Sequence, residues 1–170
     1  NSNKAVGQFS NVTAGLSNCV NGGWGFIGGG ATNTIIGDCS NILGGLTNTI
    51  SVDGTLSSIV GGTINKVCGS YSLIGAGSSN TICSNTTLYS NIVGGLLNKV
   101  CVGSYSSVLG GRLNNLCHDY SSIMGCAITS DRACTMFVNN LSIKNIPTSS
   151  AGLPSGSVWS NSGVLNIVPY

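Results

Sequence analysis

Hydrophobic residues recur along residues 1–134 at fixed distances from a regular column of asparagines. The column consists of Asn18, Asn33, Asn48, Asn65, Asn80, Asn98 and Asn114, which stand 15 to 18 residues apart. Isoleucine or valine stands six residues before each asparagine, and isoleucine, valine or leucine stands two residues after it. Because β-branched residues suit a pleated surface, the pattern predicts two short strands in each repeat.

Small and aromatic residues occupy further columns of the same repeat. Two small residues, mostly glycine, stand four and three residues before the asparagine. Serine stands eight before it in every copy except that of Asn33, which has Gly25, and an aromatic residue is common nine before it. The unit reads aromatic–Ser–x–Ile–x–Gly–Gly–x–x–Asn–x–Ile, followed by a variable loop. In the last copy we expect Thr129 to replace the asparagine and Cys126 to interrupt the second glycine column.

The repeat length selects the fold class. Units of 15 to 18 residues are too short for helical-hairpin repeats, which need about 33 residues, but they accommodate two strands and two turns. The sequence therefore predicts an all-β protein, a parallel β-solenoid (β-roll) of about eight coils. Equivalent residues would stack about 4.8 Å apart. The glycines would form a tight corner, and each asparagine amide would bond to the asparagine of the next coil.

The repeat stops after residue 134, and residues 135–170 form a separate tail. Val158 and Trp159 precede the segment Ser160–Gly163, and an apolar run from Val164 to Val168 follows it. Apolar runs on both sides of a turn-rich segment predict a β-hairpin. We expect this tail to cover the last coil or to interlock chains, since solenoids need an atypical end.

Composition narrows the functional classes. Charged residues make up 6% of the chain, and the net charge of +2 is spread thinly along it, so we expect no basic patch and no nucleic-acid binding. There is no apolar run of about 18 residues, so we expect no membrane insertion. The chain opens inside a repeat, and we expect it to be a piece of a longer protein.

Catalytic and cofactor chemistry has little support. The only carboxylates are Asp38, Asp53, Asp119 and Asp131, near the variable loops of different coils. Neighbouring His118 and Asp119 are read as a solvated loop pair rather than part of a triad. We therefore predict no enzyme activity, no cofactor and no metal site, although an active site shared between chains stays open.

Four of the eight cysteines form a column three residues after the asparagines: Cys68, Cys83, Cys101 and Cys117. A Cα spacing of about 4.8 Å lies within the range that disulfides accept. Bridges Cys68–Cys83 and Cys101–Cys117 are one hypothesis. A ladder of unbridged thiols, which pack as small hydrophobic groups, is the alternative.

The aromatic column ends in four consecutive tyrosines, Tyr71, Tyr89, Tyr105 and Tyr120, which are the candidate binding surface. Such rings could stack on sugars, or they could pack between coils or chains and only stabilise the protein. Asn85 also matches the N-glycosylation pattern and lies on the longest variable loop.

The segment SYSSVLGGRLNNL, from Ser104 to Leu116, resembles the tail-fibre repeats of phages and large viruses, and it is similar to the head repeats of trimeric autotransporter adhesins. The tail LPSGSVWSNSGVLNIV, from Leu153 to Val168, looks like the closing segment of such viral fibres. Longer coils and more cysteines than adhesin heads favour the viral class.

The resemblance implies a homotrimeric fibre segment on a virion, and receptor binding to a host-surface glycan or protein is the expectation that goes with it. A bacterial adhesin head at the cell surface is the alternative. An ice-binding solenoid and a fibre-borne glycan depolymerase are further hypotheses, but the columns do not form a regular threonine ladder and no carboxylate pair is evident.

Overall fold

The computed structural model of this chain describes residues 2–83 and 89–169. These residues form strands and turns, with no helix among them. The chain divides into two compact units, Asn1–Asn139 and Asn140–Tyr170.

The first unit is a parallel β-solenoid whose strands mostly contain two residues. They are β1 (Lys4–Ala5), β2 (Asn11–Val12), β3 (Cys19–Val20), β4 (Phe26–Ile27), β5 (Thr34–Ile35), β6 (Asn41–Ile42), β7 (Thr49–Ile50), β8 (Ser58–Ile59), β9 (Lys66–Val67), β10 (Leu73–Ile74), β11 (Thr81–Ile82), β12 (Asn91–Ile92), β13 (Lys99–Val100), β14 (Ser107–Arg112), β15 (Asn115–Leu116), β16 (Ser122–Cys126) and β17 (Met136–Val138). The odd-numbered strands β1 to β15 form sheet A. The even-numbered strands β2 to β16, extended by β17, form sheet B.

Neighbouring strands in each sheet are one coil apart and parallel. Ile42 pairs with Ile59 in sheet B, and Thr49 pairs with Lys66 in sheet A across a 17-residue coil. The longer coils keep the same register because their extra residues lie where the chain returns from sheet A to sheet B, called here the variable corner. The chain passes from sheet B to sheet A through the constant corner. The predicted solenoid is confirmed.

The core contains one fully buried side chain from each strand between β3 and β16, taken from the two columns that the sequence indicated. Its fully buried members are Val20, Ile27, Ile35, Ile42, Ile50, Ile59, Val67, Ile74, Ile82, Ile92, Val100, Val108, Leu116 and Ile123. Each of them packs against its copies in the adjacent coils. This narrow core explains why the two columns accept only Ile, Val and Leu.

The last coil departs from the expected register. The backbone N–H of Ile128, not Thr129, donates to the side-chain oxygen of Asn114 at 3.1 Å. Gly125 pairs with Gly111, because the register shifts by one residue after Val108. Both expectations for this coil were therefore wrong: Ile128 takes the asparagine place, and Gly125 continues the glycine column that Cys126 was expected to interrupt. A β-bulge in β14 accounts for the difference.

The solenoid also continues beyond the repeat boundary proposed at residue 134. Strand β17 pairs in parallel with β16, matching Ile123 to Phe137. Sheet B therefore has nine strands, one more than the eight coils read from the sequence.

The second unit contains the predicted hairpin. Strands β18 (Val158–Asn161) and β19 (Val164–Ile167) are antiparallel, and Trp159 lies opposite Asn166. Ser162 and Gly163 connect them with φ values of 54° and 87°. Two consecutive positive φ angles are typical of a type I′ turn, which matches the twist of a two-residue hairpin.

Candidate functional site

Asparagine side chains hold the constant corner together from coil to coil. The side-chain oxygen of Asn65 accepts the backbone N–H of Asn80 at 3.0 Å. Its amide nitrogen donates to the carbonyls of Gly61 and Gly77, both at 3.0 Å. Asn18, Asn33, Asn48, Asn80, Asn98 and Asn114 are buried in the same column. The ladder therefore runs from side chain to backbone, rather than only from amide to amide.

The glycine column beside this ladder is required by backbone contact. Gly62 has a φ of 87°, and a Cβ built on it would overlap the carbonyl oxygen of Gly77 in the next coil. Nothing lies within 4 Å of a Cβ built on its neighbour Gly61. The second glycine of each pair is thus the one that the coil stacking demands.

A serine ladder holds the variable corner in a similar way. The hydroxyl of Ser57 donates to the carbonyl of Gly69 at 2.9 Å and accepts the backbone N–H of Ser72 at 3.0 Å. Ser40, Ser72, Ser90, Ser106 and Ser121 are also buried in this column. Sequence reasoning found the column but assigned it no role. The position of this serine column directly before the strands of sheet B could have indicated that it is buried.

The tyrosine column forms a continuous stack on the variable corner. Ring centroids are 4.7 Å apart for Tyr71 and Tyr89, 5.1 Å for Tyr89 and Tyr105, and 5.3 Å for Tyr105 and Tyr120. All four residues have positive φ, between 52° and 56°, and side chains that are 44% to 62% exposed. The neighbouring rings cover both faces of Tyr89 and Tyr105. A ligand at these two positions would meet ring edges rather than ring faces.

The cysteine column lies just beyond the strands of sheet A. All eight cysteines are among the described residues, and no disulfide joins them. The hypothetical bridges Cys68–Cys83 and Cys101–Cys117 are therefore not formed, and the column is a ladder of thiols. The Cys101 thiol donates to the side-chain oxygen of Asn115 at 2.9 Å.

Burial and a neighbouring cation act in opposite directions on these thiols. Burial raises the pKa of Cys83, and the Lys99 ammonium lowers it by a smaller amount. Burial also raises the pKa of Cys101, helped by a hydrogen bond to Cys117. The negative charge on the Cys83 and Cys101 thiolates raises the pKa of Lys99. Lys99 therefore stays protonated while the two thiols resist ionisation.

The aspartates beside the variable corner bind backbone groups. A carboxylate oxygen of Asp119 accepts the N–H of Ser104 at 2.7 Å, and Asp38 accepts the N–H of Gly23 at the same distance. His118 instead contacts Ser130, with 2.8 Å between its Nδ1 and the hydroxyl. In the described ranges, no cavity is found and no three His, Cys or Asp side chains converge on a metal position.

An exposed apolar surface follows the constant corner. Its side chains are 42% to 58% exposed: Leu43, Leu46, Val60, Ile64, Val93, Leu96, Leu97, Leu109, Leu113 and Met124. We call this set the apolar corner. The coil containing Ser78 and Ser79 interrupts it, and Arg112 is the one charged residue in this segment of the coils. Sequence reasoning missed this surface, because its columns mix apolar residues with Gly, Ser and Thr.

The fold defines the class to which the chain belongs, the parallel β-solenoids. No protein-family model matches the sequence, and no curated protein is significantly similar to it. None of the described segments is a helix long and apolar enough to cross a membrane. The candidate glycosylation site Asn85 lies outside the described residues.

Proposed function

We propose that this chain is a structural segment of a viral or phage fibre, which acts as a stiff homotrimeric rod and contributes to host attachment. One observation carries the proposal: the coils stack in register, and buried ladders such as Asn48–Asn65 and Ser57–Ser72 hold both corners. A structure that repeats hydrogen bonds at every coil resists bending and local unfolding. These are the properties that a spacer fibre needs.

The apolar corner supports self-association. An apolar surface that follows the axis is costly to leave in water, and contiguous patches of this kind mark interaction sites. A second copy aligned in parallel would present the same apolar side chains at the same spacing of about 4.8 Å. The coil-length differences would not disturb this match, because they lie at the variable corner. Further copies of the chain are therefore the proposed occupants.

Attachment is assigned to the variable corner, where the tyrosine column and the loops lie. The stacked rings and their hydroxyl groups offer edges to a host-surface glycan or protein. The alternative, a bacterial adhesin head at the cell surface, would use the same rod in the same way. A membrane anchor in the full-length protein would favour that alternative.

Light scattering on the purified chain tests the trimer. We expect a mass near three times 17.1 kDa. The double substitution Leu96→Ser and Leu113→Ser should lower the mass toward that of one chain. The matched control, Val52→Ser with Val102→Ser, changes two exposed valines at the variable corner and should leave the trimer intact.

A monomeric wild-type chain would refute the trimeric fibre, and equal effects of the two double substitutions would refute the apolar corner as its interface. The attachment role has its own test. The chain should bind immobilised host-surface glycans or host-cell proteins, and Tyr105→Ala should weaken this binding without changing the mass in solution.

A further inference from the structure

The cysteine column places thiols on four successive coils. Ile82 pairs with Val100, and Val100 pairs with Leu116, so Cys83, Cys101 and Cys117 follow paired residues in register. The backbone N–H groups of Cys83 and Cys101 donate to the next coil at 2.9 and 2.8 Å. The thiols are half-buried and lie on the outer surface. Their spacing is therefore set by the backbone, not by flexible loops.

This spacing suits a bridging ion better than a disulfide. In-register parallel neighbours have side chains that run side by side, so their Cβ atoms are also about 4.8 Å apart. A disulfide needs Cβ atoms about 3.5–4.5 Å apart. Metal–thiolate bonds are about 2.3 Å long in zinc sites, and two bonds of similar length arranged in a line span about 4.6 Å between sulfur atoms. An ion between adjacent thiolates would thus fit without moving the coils.

The charge of the surroundings selects the kind of ion. Thiolates are soft ligands and prefer soft cations such as Cu(I). Two thiolates and one monovalent cation carry a net charge of −1. Lys99, the first residue of β13 and two residues before Cys101, places an ammonium group beside Cys83 and Cys101. This positive charge stabilises an anionic complex.

We propose that the cysteine column binds thiophilic monovalent cations, Cu(I) or Ag(I), each bridging the thiolates of two adjacent coils. Each bridge forms two metal–sulfur bonds and releases two protons to solvent, and no atom changes its oxidation state. Four thiols in a row accommodate two such ions, one between Cys68 and Cys83 and one between Cys101 and Cys117. The site requires adjacency, not merely the presence of cysteine.

Two double variants with equal numbers of thiols test adjacency. Cys68→Ser with Cys83→Ser keeps the neighbours Cys101 and Cys117. Cys83→Ser with Cys117→Ser keeps Cys68 and Cys101, which are two coils apart. The full chain is reduced with a phosphine, titrated anaerobically with Ag(I) in excess monothiol, and freed of unbound ion. Bound silver per chain is then measured by native mass spectrometry.

The competing monothiol removes silver from isolated cysteines, whereas a pair of neighbours retains it through its high effective concentration. We expect about two retained ions in the wild type, about one in the first variant and none in the second. A control with the exposed Cys39, Cys126 and Cys134 changed to serine should match the wild type. Equal retention by the two double variants, or loss of silver in the control, would overturn the proposal.

Discussion

The side-chain oxygen of Asn48 accepts the backbone N–H of Asn65 in the next coil at 3.0 Å. The same contact joins Asn65 to Asn80. Each asparagine thus satisfies a buried donor that no strand partner reaches, and at the same time donates to two carbonyl groups of the constant corner. A buried backbone group without a hydrogen-bond partner costs folding free energy, so the asparagine side chain stabilises the fold.

Substituting an asparagine of the ladder should destabilise the solenoid. Asn65→Ala removes the partner of the Asn80 N–H and of the Gly61 carbonyl, whereas the Gly77 carbonyl keeps the backbone N–H of Thr63. At about 1–3 kcal/mol for each of the two groups, the loss in unfolding free energy should reach about 2 kcal/mol or more. Urea denaturation followed by circular dichroism measures it. Asn41→Ala, on the outer face of β6, is the control and should cost below about 0.5 kcal/mol. Equal losses would contradict the ladder.

The two glycines at the constant corner should respond differently to alanine. Gly62→Ala forces a Cβ into the carbonyl oxygen of Gly77 at a φ of 87°, whereas Gly61→Ala points into open space. We expect Gly62→Ala to lower the thermal unfolding midpoint by several degrees or to prevent folding, since strain at such positions costs about 1–3 kcal/mol. Gly61→Ala should change the midpoint little. If Gly61→Ala were the more damaging, the contact between Gly62 and the Gly77 carbonyl would not be what restricts this position.

The serine ladder predicts a second matched pair at the variable corner. Ser57→Ala removes the acceptor of the Ser72 N–H and the donor to Gly69. The expected loss in unfolding free energy is about 1–3 kcal/mol. The neighbouring Ser58→Ala, on the outer face of β8, should change it by less than about 0.5 kcal/mol. Denaturant titration of both variants checks the difference, and a larger effect at Ser58 would reject a structural role for the ladder.

Thiol reactivity should depend on position in the column. Burial raises the pKa of Cys83 and Cys101, and only the thiolate is alkylated. Their modification by iodoacetamide should therefore require higher pH than that of an unstructured cysteine peptide added to the same reaction. Peptide mass spectrometry across a pH series measures each site. Replacing Lys99 with methionine removes the opposing charge and should move the Cys83 profile to still higher pH. A shift to lower pH would contradict the electrostatic account.

The raised pKa values of Cys83 and Cys101 also predict how the stability of the fold changes with pH. A thiol whose pKa is raised on folding binds its proton more tightly in the folded state. The stability that this thiol contributes is fully present at pH values below its pKa in the unfolded state. That stability is lost as the pH rises through its pKa in the folded state. We therefore expect the unfolding midpoint of the reduced chain to fall on the alkaline side. Replacing both Cys83 and Cys101 with serine should weaken that fall; an unchanged alkaline slope would assign it to other groups.

The repeat columns alone determined the solenoid. Ile42 and Ile59 stand at the same distance from Asn48 and Asn65, and a buried position that stacks on its own copy must keep the same residue type. The hairpin was equally visible, because Ser162 and Gly163 lie between two apolar runs and glycine suits a tight turn. In both cases the residue types along the chain were sufficient to predict the fold.

Only the tertiary structure decided what depends on neighbours across coils. The bulge in β14 that moves Ile128 into the asparagine place arises from pairing with β16, and counting residues from Asn114 could not reveal it. The stacking that covers both faces of Tyr89 depends on side-chain orientation at a positive φ. The apolar corner was hidden for a related reason. A one-dimensional pattern shows which residues are apolar, but only the closed coil separates those that point into the core, such as Ile59, from those that point into solvent, such as Val60.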